Sequence, residues 1–226
     1  MSDQNDFSHF FSLLPALYFL VVIYNKVNTM KLKEKLSNRK ARIKHAHRRF
    51  QHYLKRAVRI TYSITKQEQY VWKELKNLQR RAEWHHGVYE TEKYIETKFE
   101  ISENNLVNYC YSVYDGFYHC RVNINEDYPV ELTTQIFILA THLNNLLTTG
   151  VVIVNAQKGV IEYYLKTEIL IPNLYPGEVQ ALIIKHFNIS KDIYWAFNQL
   201  IFHDEEPALI IADLLKTRNE EGTQKS

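Results

Sequence analysis

Residues 106–125 read "LVNYCYSVYDGFYHCRVNIN", two alternating runs on either side of Asp115-Gly116. Aspartate followed by glycine accepts the positive φ that both central positions of a two-residue hairpin turn require. Such a turn pairs Tyr111 with Cys120 and Cys110 with Arg121. It puts Val107, Tyr109, Tyr111 and Val113 on one face with Tyr118, Cys120, Val122 and Ile124. The other face carries Asn108, Cys110 and Ser112 with His119, Arg121 and Asn123. Pattern and turn agree on a half-buried antiparallel hairpin. The only two cysteines then point to opposite faces and cannot bond to each other, and two reduced thiols fit a cytosolic domain.

Working outward, the period of two holds upstream in "YETEKYIETKFEI" (89–101), which reads as one half-buried strand. Downstream, Pro129 opens an amphipathic helix, "VELTTQIFILATHLNNLL", that ends near Gly150. A second hairpin follows in "VVIV-NAQKG-VIEYYLKTEIL", with Gly159 suited to a left-handed bulge position. Pro176 opens the last helical region, a short helix covers about 206–216, and the polar tail 217–226 is expected to be disordered. The order is β-β-β-α-β-β-α-α. It predicts an α+β domain over 83–216 with a five-stranded antiparallel sheet and helices on one face.

From Tyr109 to Leu215 the chain resembles the YbjN-like family, whose fold is that of type III secretion chaperones. The matching features are the hairpin ending in "FYHCRVNI", the helix closing on "LNNLLTTG" with Asn144 and Gly150 at the family's Asn and Gly positions, and the helix after "LYPGEV". The resemblance implies a regulatory or chaperone-type role and makes a homodimer plausible.

The part of the chain before this domain is of a different kind. "FSHFFSLLPALYFLVVIY" (7–24) is 18 residues without a formal charge, and a basic block follows it. From Lys26 to Arg59 there are thirteen Lys or Arg and one acid, Glu34, whereas everything else sums to −9. The reading is a transmembrane helix through Phe10, Leu14, Pro15, Leu20 and Tyr24, with 1–6 outside the cell membrane and the remainder in the bacterial cytoplasm. Lys26, Lys31, Lys33, Lys35, Arg39 and Lys40 would then meet lipid head groups. Residues 25–82 are expected to form a basic helical stalk. Leu36, Ile43, Phe50, Ala57, Ile64, Val71 and Leu78 recur every seven residues, and both a coiled coil and a helical hairpin bending near 61–66 fit. The stretch beginning "YNKVNTMKLKEKLSNRKARI" also resembles the start of the LemA family, with Tyr24, Asn25, Arg49 and Glu68 near that pattern's positions and its Pro-Asn-Leu motif missing.

Motifs for catalysis are absent from the sequence. Six scattered glycines make no phosphate loop, and neither Cys-x-x-Cys, His-Glu-x-x-His nor Gly-x-Ser-x-Gly occurs. The expectation is therefore no cofactor, no metal and no enzyme, and a nucleic-acid partner for the basic helix is disfavoured against lipid. The domain is instead rich in Tyr and Trp, residues favoured at binding surfaces. Tyr114, His119, Arg121, Tyr194 and Trp195 are the candidates for contact with a protein partner. The competing expectation is a self-assembling membrane effector governed by the same domain.

Overall fold

The computed structural model describes residues 37–84 and 86–223. The chain divides into two compact units, 1–55 and 56–226. In the first, residues 37–55 are helical and exposed at every position; this helix, α1, covers 37–59. Among the described residues no helix is long and apolar enough to cross a membrane. That corrects the expected transmembrane, single-pass architecture. The segment read as the span, 7–24 with Phe10, Leu14, Pro15, Leu20 and Tyr24, lies outside the described residues, as do Lys26, Lys31, Lys33 and Lys35. Arg39 and Lys40 lie on α1 and are exposed.

Of the two arrangements expected for the segment 25–82, the structure has the bend near 61–66. After α1 the chain turns at 60–62, and α2, Ile64–Arg81, starts a new helix. Val71, Trp72 and Leu75 are buried in the core of the second unit, so α2 is a layer of the domain rather than part of a projecting stalk. Arg56 fixes the turn. Its guanidinium is buried, pairs with Glu74, and donates to the carbonyls of Pro172 (2.9 Å), Asn173 (3.3 Å) and Tyr175 (3.0 Å). A buried cation with a carboxylate and several acceptors is retained because removing any partner strands the rest.

The second unit is α+β, as expected, but its antiparallel sheet has six strands and not five. They are β1 His86–Tyr89, β2 Tyr94–Ser102, β3 Asn105–Tyr114, β4 Phe117–Asn125, β5 Val151–Asn155 and β6 Val160–Glu168, in the spatial order β1-β2-β3-β4-β6-β5. The extra strand, β1, lies just before the stretch read as one strand (89–101), and the turn that joins it to β2 falls inside that stretch. The chain turns at 90–93, with Lys93 at φ 50°, and Val88 pairs back onto Ile95. No Gly or Pro marks this turn; it is held from α2, where Trp72 and Lys76 bond Glu90 and Glu68 bonds Lys93. The central hairpin has the register read from the sequence, Tyr111 opposite Cys120 and Ser112 opposite His119, with Asp115 at φ 51° and Gly116 at φ 79°.

A short 3₁₀ turn, Val130–Leu132, leads into α3, Thr133–Leu146. After β6 come α4 Leu170–Leu174, α5 Glu178–His203 and α6 Pro207–Thr223. The last helix continues to Thr223, through most of the segment expected to be a disordered tail. Helices α2, α3 and α5 pack against one face of the sheet, and α6 packs on α3 and α5. The core face carries Ile95, Tyr109, Tyr111, Tyr118, Tyr163 and Ile161, all fully buried. Rings packed on this face meet in tilted and edge-on pairs, Trp84, Tyr109 and Phe187 each against Phe99.

Asn144 and Gly150, which carried part of the family resemblance, have physical roles at the sheet edge. The Asn144 amide donates to the Val152 carbonyl (3.0 Å) and accepts from the Val152 N–H (2.7 Å). It therefore plugs the outward backbone groups in the middle of edge strand β5, which would otherwise be free to pair with another chain. Gly150 sits at φ 75°, and a Cβ there would lie 2.6 Å from the Tyr163 ring.

Candidate functional site

The face of the sheet opposite the helices is where alternation sends the polar half of β2, β3, β4 and β6, and Val151 and Ile153 of β5. The pairings place Tyr89, Tyr94, Ser112, His119 and Lys166 in one row across five strands. The next row is Gly87, Glu96, Cys110, Arg121, Tyr164 and Val151. These rows frame a depression of about 470 Å³ lined by Glu92, Tyr94, Cys110, Ser112, Tyr114, His119, Arg121 and Tyr164.

His119 is its centre. Although on the outer face, its side chain is covered by neighbouring rings and is only 5% exposed. Tyr114 stacks on it with centroids 3.9 Å apart and planes within 6°. Its Nδ1 lies 2.5 Å from the Tyr164 hydroxyl and its Nε2 3.4 Å from the Tyr114 carbonyl. Burial lowers the imidazole pKa, with Lys166 and Arg121 adding to the effect against the Tyr114 carbonyl and Asp115. The ring is therefore neutral at pH 7. A neutral ring bonded in this way donates from Nε2 to the Tyr114 carbonyl and accepts the Tyr164 proton at Nδ1. Arg121 extends over the Tyr164 ring at 5.7 Å and reaches Glu162 only loosely, at 3.9 Å. Lys166 sits over Phe117 at 3.7 Å, a second cation on an aromatic ring.

Cys110 gives the site no nucleophile. Burial pushes its thiol up to about 11, so it stays protonated at neutral pH, and no base is bonded to it. Its partner is Tyr94, whose own pKa is raised, chiefly by burial. Among the described residues no group of three or more His, Cys, Asp or Glu is placed to hold a metal ion. The arrangement offers a rigid aromatic floor, one half-exposed guanidinium and a fixed neutral imidazole. These groups can hold an apolar or aromatic side chain and a carboxylate. They do not form an acid–base pair aimed at a reacting atom.

Of the five residues expected to form the contact surface, the structure brings Tyr114, His119 and Arg121 together. It does not bring Tyr194 or Trp195 to them. Both are on α5, on the helical side of the sheet; Tyr194 packs against the core and Trp195 is partly exposed. Helix α5 carries apolar residues on most of its circumference, so sequence alone does not tell its outward aromatics from its inward ones. Glu92, Tyr94, Cys110, Ser112 and Tyr164 belong to the site and are not among the five expected contact residues. Cys110 and Ser112 share the parity of His119 and Arg121, which is the signal that finds them. Tyr164 requires knowing that β6 lies beside β4.

A second depression, of about 550 Å³, is lined by Arg56, Glu74, Arg80, Arg81 and α5. Its buried cation is committed to Glu74 and three carbonyls, which makes it part of the scaffold. Comparison with protein-family models, curated proteins and solved structures finds no match. The resemblance to the YbjN-like and LemA families rests on the quoted residues alone.

Proposed function

We propose that this protein is a non-enzymatic protein-binding module that takes its partner on the uncovered face of the sheet. The observation carrying this reading is the cluster of Tyr114, His119, Tyr164 and Arg121 on that face. Tyr and Arg dominate the energetics of protein interfaces, above all where a rigid aromatic pocket is ringed by polar groups. Here the rings are locked by stacking and by the His119 bonds, so little side-chain entropy is lost when a partner docks. The partner would insert an apolar or aromatic side chain between Tyr94 and Tyr114 and set a carboxylate against Arg121. The regulatory or chaperone-type role implied by the family resemblance is compatible with such a module, which works by holding another protein rather than by turning over a substrate.

The test is co-purification of the full chain with its partner from native cells, comparing wild type with Arg121→Ala, Tyr164→Ala and the helical-side control Trp195→Ala. A stoichiometric partner lost in the first two and retained in the third supports the reading. A partner retained by all three, or lost only in Trp195→Ala, places the contact elsewhere and overturns it.

A further inference from the structure

Helix α1 is two-sided in a way that nothing within 37–55 explains. Ile43, Phe50, Tyr53 and Leu54 fall at i, i+7, i+10 and i+11, one stripe of the helix, and all four are exposed, Phe50 by 60%. Lys44, Arg48 and Lys55 lie on the opposite side, Lys40, Arg42 and Arg49 on the flanks, and Arg39 within the stripe one turn before Ile43. The nineteen residues carry seven Lys or Arg and no carboxylate.

The second unit carries the counterpart. Segments 122–157 and 199–215, which contain α3 and the first half of α6, hold seven carboxylates and no Lys or Arg; Lys216 and Arg218 follow on the second half of α6. Three of these acids, Glu126, Asp127 and Glu131, precede α3, and four, Asp204, Glu205, Glu206 and Asp213, lead into or lie on α6. The two helices pack together, and α3 itself is free of charged residues apart from a single histidine. Its outer face exposes Phe137 (46%) and Ile138 beside a shallow depression of about 400 Å³ with Thr134, Thr141 and His142. Leu209 of α6 is exposed as well.

We infer that the α1 helix of one copy docks on the α3–α6 face of a second copy. The apolar stripe would cover Phe137 and Ile138, and the cations of α1 would meet these carboxylates except Glu126, which accepts from Asn108 and Asn123 on the open sheet face. Pairing of α1 with α1 is disfavoured because two sevenfold-positive helices would be placed side by side. The contact is heterologous: each copy gives a helix and accepts one. It therefore builds a ring or a chain rather than a two-fold dimer. This surface is separate from the open sheet face, so the inference does not depend on the proposed binding function.

Sedimentation velocity on the full chain tests it. Wild type should associate with rising concentration at about 50 mM salt and weaken by about tenfold or more at about 500 mM, where the screening length falls to a few ångströms. Arg48→Glu with Arg49→Glu, and separately Glu205→Lys with Glu206→Lys, should each be monomeric with an unchanged thermal melt. Mixed one to one, the two reversed chains should associate again, because each now complements the other. A wild type that stays monomeric at low salt overturns the inference. So does association that persists in both reversed variants, or a mixture that fails to recover it.

Discussion

His186 supplies a prediction whose magnitude follows from its surroundings. It is fully buried on α5, stacked on Tyr163 with centroids 4.9 Å apart and edge-on to Tyr109 and Tyr111. Neither ring nitrogen makes a well-formed hydrogen bond, and burial pushes its pKa down to about 3, the Tyr163 backbone offsetting only part of this. The ring neighbours from β3 and β6 are tyrosines whose own pKa values are raised by burial, so they offer no counter-charge at any pH near neutral. In the unfolded chain the same imidazole binds a proton near its ordinary value, about 6.5. The unfolded state thus holds more protons below that pH, and stability falls as pH drops from about 6.5 toward 3. With these two values the loss between pH 7.5 and 5 is about 2 kcal/mol, or about 4–8 °C in melting temperature for a chain of this size. Thermal melts of wild type and His186→Leu at both pH values measure it. Leucine keeps similar bulk and cannot titrate, so the variant should lose less stability than wild type by that amount. Carboxylates and His119 contribute equally to both and cancel. If wild type and variant lose the same stability between the two pH values, His186 is not held neutral by burial and the reasoning fails.

Four further outcomes are expected. Asn144→Ala should lose about 1–3 kcal/mol, because it leaves the Val152 N–H and carbonyl without partners, and light scattering on heating should show earlier aggregation through the opened β5 edge. Gly150→Ala should cost about 2–3 kcal/mol by urea titration, from the left-handed backbone and the displaced Tyr163 ring with its 2.9 Å bond to the Thr149 carbonyl. Arg56→Met should cost about 3–5 kcal/mol by the same titration, since Glu74 and three carbonyls lose their buried partner. Cys110 should react with a maleimide far more slowly than a free thiol at pH 7, its rate climbing about tenfold per pH unit toward its raised pKa of about 11.

What the sequence made legible was whatever local rules determine. The β3–β4 register followed from Asp115-Gly116 and a period of two, and with it the faces of Tyr114, His119, Arg121 and both cysteines. The turn at 90–93 was hidden because its conformation is imposed from α2 through Glu90 and Lys93, with no Gly or Pro to mark it. Helix α2 reads as stalk from the sequence because Ile64, Val71 and Leu78 continue a seven-residue repeat. The same spacing serves a helix packed on a sheet, and the buried Arg56, Gln67 and Glu68 look solvated until their partners are known. The site was legible to the extent that it lies on one hairpin. Tyr164 and Lys166 join it through β6, which enters the sheet beside β4 only after α3 and β5 have intervened.

The central claim is that a protein partner occupies the open face at Tyr114, His119, Tyr164 and Arg121. A photo-crosslinking amino acid placed in the full chain at Tyr114, and in a second preparation at Trp195, tests it most directly in intact cells. The account predicts one discrete crosslinked protein from position 114, abolished by adding Arg121→Glu, and none of that species from position 195. Crosslinks from position 195 alone, or a product at 114 indifferent to Arg121→Glu, would contradict it.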